Sequence, residues 1–141
     1  MACPSTRVPV FVLVAAVLAP AWAHAQERGP QPFAGTYTAR AGDVTIKPKR
    51  DASFSVQVNA SDPQAGRWTC EFAGEGRLQP DGTLLAQDRS GGEPARLRLA
   101  LARDRLSVTD VSAPAAKRGY CGLNGTVDGV YRRVASAARG R

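Results

Sequence analysis

Cys70, Cys121, Glu71, Glu75, Asp88 and Asp110 are the residues of this 141-residue sequence best suited to chemistry, with a single histidine, His24, near the N-terminus. Nucleophilic catalysis of the Ser-His-Asp or Cys-His kind needs an imidazole base. The one imidazole lies in a stretch read below as a cleaved leader. Two cysteines about 50 residues apart make a poor zinc cluster, because zinc sites draw on histidine or on several thiolates. A CxxCH haem attachment, a GxGxxG turn and a GxxxxGK[ST] phosphate loop are all absent. Carboxylate chemistry of the glycosidase kind needs only two acids at a set separation, which keeps Glu71, Glu75, Asp88 and Asp110 as candidates. Their spacing matches no motif, and solvated charges on strand faces are the commoner fate of such residues. No catalytic residue, metal site or cofactor is therefore expected.

The leader is "MACPSTRVPVFVLVAAVLAPAWAHA", residues 1–25. One arginine, an apolar run over 8–18, the helix breaker Pro20 and an Ala23-His24-Ala25 end have the form of a secretory signal peptide cut before Gln26. The run is too short for a resident membrane helix, which takes about 20 apolar residues, and no transmembrane segment is expected. Export to the periplasm or beyond follows, and with it an oxidising compartment. There the pair Cys70 and Cys121 reads most simply as a disulfide, with two free thiols as the alternative. The rest of the chain, about 115 residues, suffices for one domain with a modest core.

Charge is the second functional signal. The chain carries 19 Lys and Arg against 12 Asp and Glu, a net +7, and the leader removes only Arg7 of these. "IKPKRD" supplies Lys47, Lys49 and Arg50, while Arg96, Arg98, Arg132 and Arg133 add further cations, as do Lys117 and Arg118 in "AKRGY". These could form a basic face that attracts an anionic envelope ligand. Equally, they could serve only to keep a small exported domain soluble. Interleaved aromatics for base stacking are missing, so nucleic acid is not an expected partner.

These residues must be positioned by strands. From 33 to 134 the apolar period is two rather than 3.6. In "SFSVQVNA", Phe54, Val56 and Val58 share a face opposite Ser55, Gln57 and Asn59; in "GRWTCEFAG", Trp68, Cys70 and Phe72 oppose Thr69 and Glu71. Leu97, Leu99 and Leu101 alternate with Arg96, Arg98 and Ala100, and Leu106 and Val108 continue beyond an Arg103-Asp104 turn. Turn pairs such as Asp81-Gly82, Gly91-Gly92, Asn124-Gly125 and Asp128-Gly129 punctuate the chain. The spacing predicts strands near 33–40, 43–48, 53–60, 66–76, 83–88, 95–102, 105–111 and 128–134 and no substantial amphipathic helix. The expected fold is all-β, a single small antiparallel barrel or sandwich of about eight strands. Trp68, Phe72, Phe54, Leu97 and Leu99 belong to its core, with a polar spacer over 26–32 and a basic tail over 135–141.

"FAGTYT" and "VDGVYR" each place a glycine two residues before a tyrosine. Positions i and i+2 share a strand face, so Tyr37 packs over Gly35 and Tyr131 over Gly129. Pairing of the first strand with the last would close the barrel and remove its edges.

"RWTCEFAGEG", "ARLRLALARDRLSVTD" and "GYCGLNGTVDGVYRR" together resemble a family of small periplasmic β-domains of Proteobacteria, the β-barrel domain that follows the cysteine-rich helical segment in some LprI-type lysozyme-inhibitor-like proteins. The resemblance spans roughly 37–133 and is most specific at Cys70-Glu71-Phe72-x-Gly74 and at Cys121-Gly122 with Asp128-Gly129-x-Tyr131-Arg132-Arg133. The helical segment and a further cysteine pair of that family are absent here, as is the Ser-Gly-x-x-Tyr signature of membrane-bound c-type inhibitors. What the resemblance implies is a non-enzymatic envelope protein that binds a cell-wall hydrolase and blocks it by surface occlusion, with no inhibitory residues assigned. The positive charge favours an acidic hydrolase over a basic one. The alternative expectation is a lipocalin-like carrier or sensor of a small or anionic ligand, with Tyr37 and Tyr120 at the barrel mouth.

Overall fold

The computed structural model describes residues 32–89 and 91–135. The expected signal peptide, all of the expected spacer but Pro32 and all of the expected tail but Ala135 lie outside the described residues. Eight strands follow one another: β1 (Gly35–Ala39), β2 (Gly42–Pro48), β3 (Phe54–Ser61), β4 (Thr69–Leu78), β5 (Leu84–Asp88), β6 (Arg96–Ala102), β7 (Arg105–Asp110) and β8 (Gly129–Arg133). Each pairs antiparallel with its neighbours in sequence, and β1 pairs with β8, so the sheet closes into an up-and-down barrel. Of the two expected architectures, barrel and sandwich, the chain adopts the barrel.

Alternation sets the two surfaces. Phe54, Val56, Val58 and Ala60 of β3 are buried, while Gln57 and Asn59 face water, and Leu97, Leu99, Leu106 and Val108 repeat the pattern on β6 and β7. Burying one such aliphatic side chain is worth about 1.5–3 kcal/mol, and a slip of one residue would turn a whole strand inside out. Trp68 departs from the expectation. It precedes β4 and is only partly buried against the core. The Asp62 carboxylate accepts from the backbone N–H of Gln64 and Arg67 at 3.0 and 3.4 Å. That knot holds residues 62–68 as a loop and delays the strand to Thr69.

The barrel closes at a seam built from the two glycine–tyrosine units. A Cβ on Gly35 would lie 4.0 Å from the Tyr37 ring, and one on Gly129 would lie 3.9 Å from the Tyr131 ring, so each ring covers its glycine as the spacing predicts. Each hydroxyl then donates to the carbonyl four residues back, Tyr37 to Phe33 at 2.8 Å and Tyr131 to Val127 at 2.9 Å. Gly35 has φ of 147°, a region open to glycine, and a Cβ there would also sit 2.8 Å from Nη1 of Arg133.

Both ends of the barrel are plugged. Where β1 begins, Phe33 is buried and meets Phe54 edge-to-face at 6.4 Å. At the other end the connection between β7 and β8 folds back over the opening. It carries the single helical turn α1 (Pro114–Lys117) and buries Ala116, Tyr120, Cys121 and Val127. Tyr120 stacks edge-to-face on Phe72 at 5.6 Å, and Cys121 forms a disulfide with Cys70 across 51 positions of sequence. The stretch "YCGLNGTVDGVYRR" is thus a plug, a covalent staple and the closing strand in succession.

Candidate functional site

The interior offers a ligand no room. Val44, Val56, Val58, Leu84, Leu97, Leu99 and Leu106 are wholly inaccessible to water, so no water-sized void touches them. Tyr37 and Tyr120, expected together at a mouth, serve opposite ends: Tyr37 is tied to Phe33, and Tyr120 donates to Oδ2 of Asp110 at 2.6 Å. Burial, and then the Asp110 carboxylate beside it, drives the Tyr120 hydroxyl far above its ordinary pKa. What the molecule can present to a partner lies on the outer wall.

On that wall the candidate carboxylates separate into distinct roles. Glu71 faces outward on β4 opposite Asn59. Asp110, its side chain 5% exposed, accepts from Tyr120 and from the Ser112 N–H and lies 3.9 Å from Lys117, all in service of the plug. Asp88 accepts the Ala95 N–H at 2.9 Å across the loop of residues 88–94, a hairpin connection between β5 and β6. Glu75 is different. Lys49 donates to it at 2.9 Å, Arg77 at 2.8 Å, and Arg89 through a third short bond. Hydrogen bonds from Lys49 and Arg89, aided by Arg77, outweigh its partial desolvation and bring its pKa down to about 2. Two confluent grooves of about 270 Å³ each meet here, sharing Glu75 and Arg89 in their walls.

Strand register explains the gathering. Glu75 lies opposite Ser55 on β3 and Gln87 on β5, and Gln87 lies opposite Arg96 on β6. Two residues along, Arg77 faces Leu85 and Leu85 faces Arg98. Two outward rows thus run across β4, β5 and β6, and the guanidinium of Arg96 donates to Gln87 at 3.2 Å. Lys47 is exposed on β2 beside Ser55, and Arg50 is exposed in the turn beyond Lys49.

Of the cations singled out from sequence, Lys47, Lys49, Arg50, Arg96 and Arg98 therefore occupy the β2–β6 side of the barrel. Arg132 and Arg133 do not join them. Arg132 faces outward on β8 between Thr38 and Arg105. Arg133 is engaged at the seam, donating to the carbonyls of Ala34 and Pro32 and to the Tyr37 hydroxyl. Lys117 and Arg118 flank α1 at the plugged end. Arg77 and Arg89 belong to the cluster and were missed. Arg77 was within reach of sequence reasoning, since it follows Glu75 by two on an alternating strand. Arg89 arrives from the far side of a hairpin, and no local pattern announces it.

Among the described residues no three His, Cys, Asp or Glu side chains converge as a metal site, and no helix is long and apolar enough to cross a membrane. No protein-family model, curated protein or solved structure matches this chain.

Proposed function

We propose that this is an exported, non-catalytic binding protein of the bacterial envelope that works by covering part of a partner's surface, the partner being a cell-wall hydrolase with an acidic face. The observation that carries the reading is the barrel filled with side chains and plugged at both ends, which leaves the outer wall as the place where binding can occur. Glu75, the candidate acid that gathers three cations, is held ionised by them, whereas a general acid must keep its proton near the working pH. The resemblance to lysozyme-inhibitor-like β-domains supports the choice of partner, and the net charge supports an acidic one.

The test is direct. Residues 26–141, purified with the disulfide formed, are added to wall hydrolysis by lysozymes of several classes and by amidases, with binding followed in parallel. Slowed hydrolysis of one class, weakened by Arg98→Glu on the outer wall, is the expected result. Neither binding nor slowing across the whole panel would overturn the proposal.

A further inference from the structure

The cluster around Glu75 is more ordered than a solubilising surface requires. Arg77 and Arg89 are 67% and 75% exposed along their side chains, yet both guanidinium groups and the Lys49 ammonium are drawn to one carboxylate that is itself only 15% exposed. Isolated surface pairs contribute little to stability. Three cations sharing one anion are poorly neutralised, and beyond Gln87 and Leu85 the same two outward rows reach Arg96 and Arg98 rather than acids. Strand spacing puts the Arg77 and Arg98 backbones about 10 Å apart with Leu85 between them. In the groove walls Lys49, Arg77 and Arg89 meet the two carboxylates Glu75 and Asp88, and Arg96 and Arg98 stand outside the walls on β6.

We propose that this groove is a binding site for a phosphate-bearing ligand, with Arg77 and Arg89 as its paired guanidinium donors, Lys49 as a third cation and Glu75 as the positioning residue that aims them. Each guanidinium gives a single N–H to Glu75 out of five. The remaining N–H groups form a planar fork that fits phosphate oxygens two at a time, a geometry that an ammonium cannot copy. A phosphate monoester or diphosphate carries roughly two or more negative charges at neutral pH, which the three groove cations attract together with Arg96 and Arg98 on β6. Ordering three long side chains before the ligand arrives lowers the entropic cost of capture. The inference goes beyond the hydrolase reading, because it is tested with probes that contain no protein, so either can fail alone.

The experiment titrates sodium pyrophosphate into the disulfide-bonded protein at about 0.15 M salt, and in parallel sediments the protein with phosphatidic acid vesicles and with phosphatidylcholine vesicles. Saturable pyrophosphate binding identifies a soluble phosphate ligand. Sedimentation with phosphatidic acid alone, without pyrophosphate binding, identifies a phosphorylated headgroup. In whichever arm binds, Arg77→Gln with Arg89→Gln should weaken binding by about tenfold or more, and Arg132→Gln on β8 should leave it within about twofold. Glu75→Ala decides the positioning role. It adds a net positive charge, so a mere electrostatic field would bind tighter, whereas loss of aim makes binding several-fold weaker. Circular dichroism and melting establish that each variant is folded. Binding in neither arm, equal weakening by all the arginine variants, or tighter binding by Glu75→Ala would each overturn the proposal.

Discussion

Arg133 and Tyr37 face each other across the pairing of β8 with β1, with the guanidinium 2.6 Å from the phenolic oxygen and its carbon 4.8 Å from the ring centroid. The same guanidinium reaches the carbonyls of Ala34 and Pro32, so one side chain locks the strand that opens the barrel to the strand that closes it. A main-chain bond from Val134 to Thr36 at 2.8 Å completes the seam, and one from Arg133 to Asp104 at 2.7 Å ties β8 to the turn between β6 and β7.

Arg133→Lys keeps the charge and loses the fork. It should destabilise the fold by roughly 1–3 kcal/mol, the range for charged hydrogen bonds with partly buried partners. Urea unfolding measures this, with Arg132→Lys as the neighbouring control expected within about 0.5 kcal/mol of wild type.

Loss of the staple should cost more. Cys121→Ser opens the bond to Cys70 and leaves the plug held to β4 by main-chain bonds and the Tyr120–Phe72 contact. Melting under oxidising conditions should record a loss of about 2–5 kcal/mol. Equal melting of wild type and variant would show that the plug is held without it.

Acid should act through Glu75. Its folded pKa of about 2 lies below the ordinary 4.5, so its stabilising contribution is fully present above about pH 4.5 and disappears as pH falls toward 2. The Glu75→Gln variant should lack that segment of the acid-unfolding curve, and a carboxyl titration followed by NMR should place the wild-type midpoint near 2.

Alkali should act through the tyrosines. Burial raises Tyr37, Tyr120 and Tyr131 above the ordinary 10.0, Asp110 raises Tyr120 further, and Arg133 partly offsets the shift at Tyr37. The unfolded chain ionises near pH 10 while the folded rings stay neutral. The tyrosine contribution to stability is therefore level below pH 10 and falls above it, by about 1.4 kcal/mol per pH unit for each ring held neutral. Phenolate absorbance should lag behind model tyrosine until the protein unfolds.

Gly42 sits where the first hairpin meets β3. A Cβ there would fall 1.9 Å from the Asn59 carbonyl oxygen, whereas at Gly92 it would meet open space. Gly42→Ala should cost at least about 1–3 kcal/mol, the range for overpacking. Gly92→Ala should melt with the wild type.

The strands were readable because side-chain alternation is a local property. Period two placed Val56, Leu97 and Val108 inside and Gln57, Asn59 and Arg98 outside without knowledge of any neighbour, and the eight expected segments match the eight observed to within a few residues at their ends. The glycine–tyrosine units were readable for the same reason. Trp68 was misjudged because the alternation of "GRWTCEFAG" runs on past the point where Asp62 ties the chain into a loop. The basic residues could be counted but not grouped, and Arg132 and Arg133 fell on β8, two strands round the barrel from Arg96 and Arg98 on β6.

By itself, then, the sequence determined the all-β class, the number of strands, the inward and outward faces of each, and the availability of Cys70 and Cys121 to pair. The tertiary structure alone decided that the sheet closes as a barrel, that Phe33 and the β7–β8 connection seal its ends, and that Lys49, Arg77 and Arg89 converge on Glu75. The division has one cause. Which face a residue takes depends on its own strand, while which residues meet depends on cross-strand register and loop path, and these are settled only when distant parts of the chain pack against one another.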